Sequence, residues 1–266
     1  MHKLDNVKQI PEMVVDHGIS IVGNALFLED SGILVIADLH LGYEQALEDA
    51  GVFIPAVQYR LIKNFILGAL EETGAEELIV LGDVKHEFGS ALRQEWSETL
   101  DLFSTLKSRS LKLHVVRGNH DNFLIPILKR LEIPLHDPYY IEEGYLFAHG
   151  HKELPLDAWS QDIRYTIIAH EHPAIILRDE LGVTIKLKCF LRGSIEESVM
   201  FVLPASSPLM PGTEVNVPRA RFLSPLLKRV DVSSMRVYAV DLNVGIYDFG
   251  TVDLLKRLVQ GTGSTD

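Results

Sequence analysis

Short apolar runs alternate with amphipathic segments over the first two-thirds of the chain. Runs rich in Ile, Val and Leu lie at Ile33–Ala37, Leu78–Leu81, Leu111–Val116, Tyr145–Ala148 and Thr166–Ala169. Continuous apolar character over so short a length is typical of strands that are buried on both faces. These runs therefore predict the central strands of a sheet.

Two segments between these runs have helical periodicity, Val57–Glu72 and Ser90–Lys107. Apolar residues recur at helical spacing in both, at Val57, Leu61, Phe65 and Ala69 and at Leu92, Trp96, Leu100 and Phe103. Pro55 and Gly74 flank the first segment as expected of a capped helix. The stripes predict helices that pack on the sheet, and the alternation of strand and helix predicts a layered α/β fold.

The pattern changes after His172. Apolar and polar residues alternate from Val183 to Phe190, after a turn at Asp179–Gly182, and this alternation predicts a hairpin arm. Further strands are predicted at Val199–Leu203, Val237–Val240 and Ile246–Phe249. Pro204–Pro218 is rich in Pro, Ser and Gly and predicts a long loop, and Gly261–Asp266 predicts a frayed tail.

Composition narrows the class of protein. A chain of 266 residues with 47% hydrophobic residues can form one large domain or two small ones. It has no apolar run of the roughly 18 residues that a membrane span needs, and Met1–Glu12 lacks a secretory pattern. The single cysteine, Cys189, cannot form an internal disulfide and is expected in a buried strand. We expect a cytoplasmic protein with no membrane partner.

The net charge of −12 argues against general adhesion to nucleic acid, which depends on Lys and Arg neutralising phosphates. If some of the acidic residues bind metal cations, the surface around them is less negative than the net charge suggests. Nucleic acid therefore stays open as a substrate. The basic cluster Arg219, Arg221, Lys228 and Arg229 is interpreted either as a track for a nucleic-acid backbone or as a solvated face.

Each apolar run of the α/β part is followed by residues that bind metals. The five segments are Asp38-Leu39-His40, Gly82-Asp83-Val84-Lys85-His86, Gly118-Asn119-His120-Asp121, His149-Gly150-His151 and His170-Glu171-His172. Side chains that follow successive strands meet at the carboxyl edge of an open sheet. One Asp or His after a strand is usually a turn former, but seven of the eleven histidines fall in these segments. Buried imidazoles and carboxylates are costly unless they are paired or metal-bound.

The residue types indicate which metals are expected. Aspartate, histidine and an asparagine carbonyl suit Mn²⁺ first, with Fe²⁺, Ni²⁺ and Zn²⁺ as alternatives, whereas Mg²⁺ and Ca²⁺ sites are mostly oxygen. A set of this size predicts two ions that share a carboxylate and hold a bridging hydroxide. The predicted ligands are Asp38, His40, Asp83, Asn119, His149, His170 and His172.

The ordered segments resemble the calcineurin-like metallophosphoesterases, whose motifs are D-x-H, G-D-x-x, G-N-H-[DE], H-G and G-H-x-H. The resemblance implies a two-sheet β-sandwich flanked by helices. It also implies that one metal takes Asp38, His40 and His172, that the other takes Asn119, His149 and His170, and that Asp83 bridges them. By the same resemblance His120 is a catalytic residue over the phosphate, and Asp121 orients its ring.

Two departures from the motifs refine the resemblance. Ala169 replaces the glycine of the fifth motif, a change that should leave both histidines in place. His86 stands where many phosphatases carry Asp or Asn, and Gly82–Gly89 resembles the ICC-like, or DNA-ligase-associated, phosphoesterase subgroup. His86 and Arg117 are therefore candidate substrate-phosphate contacts, with a supporting or surface role as the alternative. His151 competes with His149 for the fourth motif and is expected to support the ligands from behind.

The predicted activity is hydrolysis of a phosphate ester by a metal-bridging hydroxide. The subgroup implies a phosphodiesterase or nuclease that acts on single-stranded DNA or nucleotides, with possible DNA-repair partners. The alternatives are a phosphomonoesterase acting on small metabolites and a non-catalytic scaffold of the same fold. The resemblance further implies one domain, in which residues 14–178 form the metal-binding core and residues 179–260 complete the second sheet.

Overall fold

The apolar runs of the first half of the chain build a seven-stranded sheet, here called the first sheet. The structure is a computed structural model, and it describes residues 9–87, 93–159, 162–179 and 181–261. The strands lie side by side in chain order. They are β1 (Glu12–Asp16), β2 (Ile19–Val22), β3 (Ala25–Leu28), β4 (Ile33–Ala37), β5 (Glu77–Leu81), β6 (Lys112–Val116) and β7 (Leu135–His136). Strands β1 to β4 pair antiparallel, and β4 to β7 pair parallel.

Helices cover the outer face of the first sheet. In chain order they are α2 (Gln58–Thr73), α3 (Arg93–Lys107) and α4 (Ile125–Leu131), and a short helix, α1 (Tyr43–Asp49), lies between β4 and α2. Ile66 of α2 and Phe103 of α3 share a core with Leu34, Ile36 and Val80 of the strands. The predicted helices are present, although Ser90–Leu92, which the prediction included in α3, lie outside the described residues.

The buried faces of α2 and α3 differ from the predicted stripes. In α2 the buried positions include Ile62 and Ile66, whereas Leu61 is 47% exposed and Phe65 is only partly buried. Ala69 of the predicted stripe is fully buried, so the stripe overlaps the buried face, but its other members lie along the border of that face. The shift in α3 brings Glu95, a charged residue, onto the buried face. A stripe read from hydrophobicity alone could not include it.

The remaining strands build a nine-stranded second sheet. They are β8 (Tyr139–Glu142), β9 (Tyr145–Ala148), β10 (Tyr165–Ile168), β11 (Pro173–Arg178), β12 (Thr184–Ile195), β13 (Ser198–Val202), β14 (Thr213–Glu214), β15 (Arg236–Asp241) and β16 (Gly245–Thr251). Strands β9, β10 and β13 run parallel. The predicted hairpin arm is confirmed as β11 and β12, and β12 also pairs with β13 and β15.

The two sheets pack face to face. Their common core includes Ile21 and Ile79 from the first sheet and Phe147, Phe190 and Phe201 from the second. A final helix, α5 (Val252–Gly261), lies on the outer face of the second sheet, where Val252 and Leu255 are buried. The predicted α/β fold, a two-sheet sandwich flanked by helices, is confirmed. Cys189 is buried in β12.

Part of the predicted loop Pro204–Pro218 is buried. Ala205, Ser206 and Ser207 are almost fully inaccessible, and the short strand β14 lies further along the same segment. The backbone amide of Ser206 donates to the Ala37 carbonyl, and that of Ser207 donates to the Asp38 carbonyl. These bonds anchor the end of β4, which explains why polar residues are buried there. Among the described residues, no helix is long and apolar enough to cross a membrane.

Two histidines stack where the edges of the sheets meet. His114 of β6 lies with its Nδ1 atom 2.8 Å from Nε2 of His136, and both rings stack on Tyr140 of β8. Glu77 and the ion pair of Lys112 with Glu142 flank these rings. Burial, followed by the neighbouring His136, lowers the pKa of His114 to about 4.

Acidification should therefore weaken this edge. The pKa of His114 in the folded chain lies below the unfolded value of about 6.5, so the unfolded chain binds the extra proton between these pH values. Relative to the variant His114→Phe, which keeps a stacking ring, the wild type should lose about 1 kcal/mol of unfolding free energy between pH 7 and pH 5, allowing for partial solvent screening. Urea unfolding at both pH values measures the difference, and equal losses in the two proteins would contradict it.

Candidate metal centre

A buried carboxylate oxygen lies at the centre of the site. Oδ2 of Asp83, which follows β5, is 3.3 Å from Nε2 of His149, 3.7 Å from Nε2 of His120 and 3.9 Å from Nε2 of His40. These three imidazoles come from three different loops. The other oxygen, Oδ1, accepts a hydrogen bond of 2.9 Å from the backbone amide of His120. Oδ2 of Asp83 therefore faces three ring nitrogens, whereas its Oδ1 is held in place by a backbone hydrogen bond.

A second carboxylate lies beside the first. Asp38, which follows β4, is fully buried, and its Oδ1 atom is 3.2 Å from Nε2 of His172 and 3.7 Å from Nδ1 of His149. Its Oδ2 atom accepts a hydrogen bond from the backbone amide of His170. Asn119 approaches from the β6 side, with Oδ1 3.2 Å from Nε2 of His149. All seven predicted ligands thus lie in one cluster between the ends of the two sheets.

Parallel strands account for this convergence. Strands β4, β5 and β6 point the same way in the first sheet, as do β9 and β10 in the second, so the residues that follow them emerge at aligned edges. The predicted arrangement at the carboxyl ends of the strands is therefore what the structure contains.

The backbone at the site is strained. Many of the predicted ligands have positive φ angles, which residues other than glycine rarely adopt; these are Asp38 (54°), His40 (46°), Asp83 (47°), His170 (68°) and His172 (49°). Each such residue costs on the order of 1–3 kcal/mol and persists only where the surroundings enforce it. The tight turns aim the side chains inward immediately after each strand.

Two glycines allow the loops to approach one another. A Cβ atom on Gly118 would lie 2.2 Å from the Asp83 backbone nitrogen and 2.2 Å from its Oδ1 atom. One on Gly82 would lie 2.6 Å from the Gly118 nitrogen and 2.7 Å from Nδ1 of His149. Real Cβ atoms do not approach so closely, so the loops after β5, β6 and β9 can meet only where these side chains are absent.

Hydrogen bonds behind the rings set their orientation. Nδ1 of His149 lies 2.8 Å from the Leu81 carbonyl, and this bond directs Nε2 toward Asp83 and Asn119, where it could bind a cation once its proton is lost. Nδ1 of His120 contacts the His86 carbonyl in the same way. Metal-binding histidines typically donate their second N–H to a carbonyl or carboxylate. Both rings are therefore arranged with Nε2 facing the centre of the site.

The carboxylates are held in their ionised form. Burial acts to raise the pKa of Asp83, but the rings of His149, His120 and His40 outweigh burial and lower it. Burial is likewise the largest influence on Asp38, and it is outweighed mainly by His172, so that this pKa is also lowered. Ionised carboxylates are the form that binds a cation.

The imidazoles divide into two groups. Burial lowers the pKa of His40 to about 3, and burial together with His149 lowers that of His170 to about 4. Burial also disfavours a charge on His149, but Asp83 and Asp38 outweigh it and raise its pKa to about 9. The two carboxylates thus attract a positive charge at this point, which a bound cation would supply in place of the proton.

The donor set fits metal ions. Asp38, His40 and His172 form one group whose donor atoms lie within 4.8 Å of one another, and Asp83, His149 and His170 form another. A third group of Asp83 with His40 and His120 overlaps both. Buried atoms of the first group, including Asp38 Oδ1, both nitrogens of His40 and His172 Nε2, have no hydrogen-bond partner among the described residues. Buried polar atoms of this kind normally have one, and a cation would satisfy them.

Comparison with known proteins identifies the family. Residues 32–192, more than half of the chain, match the sequence profile described as calcineurin-like phosphoesterase. The chain belongs to the calcineurin-like phosphoesterases. It is therefore a metal-dependent hydrolase of phosphate esters, and the resemblance read from the motifs is confirmed. No curated protein sequence matches it significantly.

Solved structures are similar to this phosphoesterase in fold. The nuclease MPE of Pseudomonas putida is 22% identical over 83% of this chain and 91% of its own, with a TM-score of 0.59. The Aquifex aeolicus protein AQ665, of unknown function, is 21% identical over 53% of this chain and 78% of its own, with a TM-score of 0.37. The Escherichia coli phosphoesterase YfcE is 16% identical over 81% of this chain and 97% of its own, with a TM-score of 0.41. The first likeness supports the fold, and the other two scores are too low to add to it.

The other predicted site residues surround the ligands of this phosphoesterase. His86 is half-buried, its ring lies tilted against Tyr43 with ring centroids 4.1 Å apart, and it lies 5.7 Å from the ring of His120. His151 lies 5.1 Å from the ring of His149 and belongs to none of the donor groups of the described residues. Arg117 follows β6, and its guanidinium is bonded to Asp137 and Asn122. Its charge is therefore already engaged by neighbouring side chains, and its role as a phosphate contact stays a prediction.

Asp121 has a different set of contacts from the one expected. Its carboxylate is fully buried and accepts hydrogen bonds from the backbone amides of Gly118 and Val84, at 2.8 Å and 3.0 Å. It thus ties the loop after β6 to the loop after β5, while the His86 carbonyl contacts the ring of His120. Burial, together with the charge of Asp83, raises the pKa of Asp121 to about 6.

Sequence reasoning missed the polar residues that support the site. The Gln58 side chain in α2 donates to the His40 carbonyl at 3.0 Å and to Ser207 at 2.7 Å. Glu171 accepts the backbone amides of Leu223 and Ser224. Gln58 stands on the buried face of a helix, and a polar residue among apolar positions is the signal that could have identified it.

The close approach of Gly118 generates a prediction. The variant Gly118→Ala should push the Asp83 loop out of place, because the new methyl would overlap the Asp83 backbone. A displacement of about 1 Å at reacting groups can cost roughly 100-fold in rate, so we expect a loss of that order together with a lower metal content. Metal analysis of the purified protein and the rate of bis-p-nitrophenyl phosphate hydrolysis measure the two effects.

The matched control is Gly68→Ala in α2, where the added methyl would meet only Cδ1 of Ile10, at 3.3 Å. Gly118 and Gly68 both have ordinary φ angles, so the variants differ mainly in what the new methyl meets. Full activity and full metal content in Gly118→Ala would contradict the proposed role of the close approach.

Proposed function

We propose that this phosphoesterase is a phosphodiesterase that uses two divalent metal ions and cleaves DNA strands or nucleotides. One ion would be held by Asp38, His40 and His172, and the other by Asn119, His149 and His170, with Asp83 shared between them. The observation that carries the proposal is the Asp83 carboxylate, whose Oδ2 atom faces Nε2 atoms from three loops. A carboxylate that belongs to two adjacent donor groups is suited to bridging two ions.

When bound, such ions activate water for attack on phosphorus and neutralise the phosphoryl oxygens. The mixture of carboxylate oxygens, imidazole nitrogens and an amide oxygen favours Mn²⁺, with Fe²⁺, Ni²⁺ and Zn²⁺ as alternatives. Metal analysis of the purified protein tests this assignment. A site that retained only Mg²⁺ would argue against the choice of metal and leave the ligands unchanged.

His120 is proposed as the residue that stabilises charge on the substrate or gives a proton to the leaving oxygen. Its Nδ1 atom contacts the His86 carbonyl, and its Nε2 atom lies 3.7 Å from Asp83 Oδ2, on the open side of the site. A ring that is oriented through Nδ1 and is still partly accessible, with 14% of its side chain exposed, is arranged for general acid catalysis. His86, 5.7 Å away between ring centroids, is proposed as a phosphate contact.

The loop that carries Arg219 and Arg221 supports a polyanionic substrate. Glu171, between His170 and His172, accepts the Leu223 and Ser224 amides at 2.8 Å and 2.9 Å, and the Ser224 hydroxyl donates to Gly150 at 2.7 Å. The loop is thus tied to two segments that carry predicted ligands. Arg219 and Arg221 are exposed and form no ion pair with any described residue. Two free guanidinium groups on a loop that is tied to the ligand segments suit the phosphates of a strand.

The other half of the predicted basic cluster is engaged. Arg229 pairs with Glu153 and Glu196, and Lys228 donates to the Leu223 carbonyl. A nuclease is also among the structures similar in fold, although its activity is a property of that protein. The contrast between free and engaged cations makes the proposal about Arg219 and Arg221 specific enough to test.

Substrate class can be tested with paired model esters. With Mn²⁺ present, we expect kcat/KM for bis-p-nitrophenyl phosphate to exceed that for p-nitrophenyl phosphate by at least about 10-fold. A diester has a second substituent on phosphorus, and a phosphodiesterase gains binding energy from residues that contact it. The variant Asp83→Asn is the control and should be inactive on both. A preference for the monoester would instead make the protein a phosphomonoesterase.

Strand binding can be tested separately. Replacing Arg219 and Arg221 by Ser should weaken binding of a labelled single-stranded oligonucleotide and reduce the slope of log K against log salt by about 1.4, near 0.7 for each of the two lost phosphate contacts. Fluorescence anisotropy between 50 and 200 mM salt, without divalent metal, measures both quantities. The variant Arg229→Ser is the matched control, because its charge is already neutralised by two carboxylates. An unchanged salt slope in the double variant would remove this loop from the substrate surface.

A further inference from the structure

A buried ion pair lies behind the catalytic face of the site. Lys85 follows Asp83 by two residues, and its Nζ atom is 2.9 Å from Oε2 of Glu95 in α3. Both side chains are fully inaccessible to solvent. Buried ion pairs are costly to form and are retained only where their remaining donors and acceptors are also satisfied. The contacts of Glu95 therefore indicate what the pair does.

The second oxygen of Glu95 binds the loop after β5. Oε1 accepts hydrogen bonds from the backbone amides of His86 and Glu87, at 2.9 Å and 3.1 Å. The His86 amide also donates to the Leu41 carbonyl, which connects the loop to the one after β4. The Lys85 ammonium reaches the Glu87 carbonyl at 3.4 Å. One carboxylate, held in place by one ammonium, thus fixes three consecutive residues of the loop.

The fixed loop contacts His120 directly. The His86 carbonyl is the contact of Nδ1 of His120, so the position of this carbonyl sets both the tautomer and the direction of the ring. Nε2 of His120 then points to Asp83 Oδ2, 3.7 Å away. A continuous chain of contacts runs from α3 through Glu95 and the His86 backbone to the reactive nitrogen of His120.

We propose that Lys85 and Glu95 are positioning residues for His120. Glu95 holds the His86 carbonyl where it orients the imidazole, and Lys85 holds Glu95 in the rotamer that reaches both amides. The pair acts through His120 and touches no substrate. This inference rests on the proposed role of His120 and adds the device that orients it.

The test compares variants that carry no unpaired buried charge. Lys85→Met with Glu95→Gln removes the ion pair but keeps a side-chain oxygen to accept the two amides. Lys85→Met with Glu95→Leu removes the oxygen as well. The two double variants differ only at position 95, where Gln offers a polar amide with an acceptor oxygen and Leu offers none, and both avoid the isolated buried charge that would threaten folding. Ser97→Leu, at an exposed position of α3, is the control for a change on the same helix.

In the Mn²⁺-loaded enzyme acting on bis-p-nitrophenyl phosphate, the variant with Leu should lower kcat by roughly 10- to 100-fold, with KM changed by less than about 2-fold. The variant with Gln should recover most of this loss. Each pair is also made with His120→Ala. If Glu95 acts through His120, the Leu change should lower kcat by less than about 2-fold in that background, because the ring it orients is absent.

The metal-free protein gives a second measurement. The Nδ1–H proton of His120 should give a slowly exchanging NMR signal in the wild type and in the Gln variant, and it should exchange at least about 10-fold faster in the Leu variant. Thermal unfolding of all variants shows whether each is folded, and the comparison is made among the folded ones.

The outcomes separate the two claims. If His120→Ala leaves kcat unchanged, the proposed role of His120 is wrong. If His120→Ala lowers kcat but the Leu change costs the same factor in both backgrounds, Glu95 acts elsewhere and the positioning inference is overturned. Equal NMR exchange rates in the Gln and Leu variants would overturn it as well.

Discussion

The rest of the site depends on one buried charge, the carboxylate of Asp83. An ionised carboxylate removed from water requires compensation, and here three imidazoles and a backbone amide surround it. The Nδ1 atoms of His149 and His120 contact the Leu81 and His86 carbonyls, and these contacts direct the Nε2 atoms of both rings toward it. The buried carboxylates attract positive charge, as the raised pKa of His149 indicates, and a bound cation would supply that charge in place of the proton.

The fold stabilises the strained backbone conformations that this arrangement requires. Five of the predicted ligands have left-handed backbone conformations, and Gly82 and Gly118 permit contacts that a methyl group would block. Such turns are stable only because each follows a strand whose residues are buried between packed sheets and helices. Rigidity in the two sheets is therefore what allows the short loops to hold unfavourable conformations.

Polar residues from the helices and from the second half of the chain form a supporting layer behind the ligands. Gln58 holds the loop after β4, Glu95 holds the loop after β5, and Glu171 connects the loop after β10 to Ser224. Each is buried, and each has most of its hydrogen bonds to backbone groups. Hydrogen bonds to the backbone fix the positions of these loops and leave the metal-binding atoms free. They also connect α2, α3 and the segment before β15 to the loops that carry the predicted ligands.

The sequence by itself determined the ligand segments, because apolar runs followed directly by Asp, Asn and His specify both a strand and the chemistry at its end. The parallel order of β4, β5 and β6 made their convergence predictable. The tertiary structure decided the rest. Glu95 and Lys85 are charged, so the pattern of apolar residues does not mark them as buried. Only the packing of α3 brings the Glu95 carboxylate against the Lys85 ammonium. Hydrophobic periodicity records which face is buried, whereas a buried polar contact depends on two segments meeting, which no local pattern encodes.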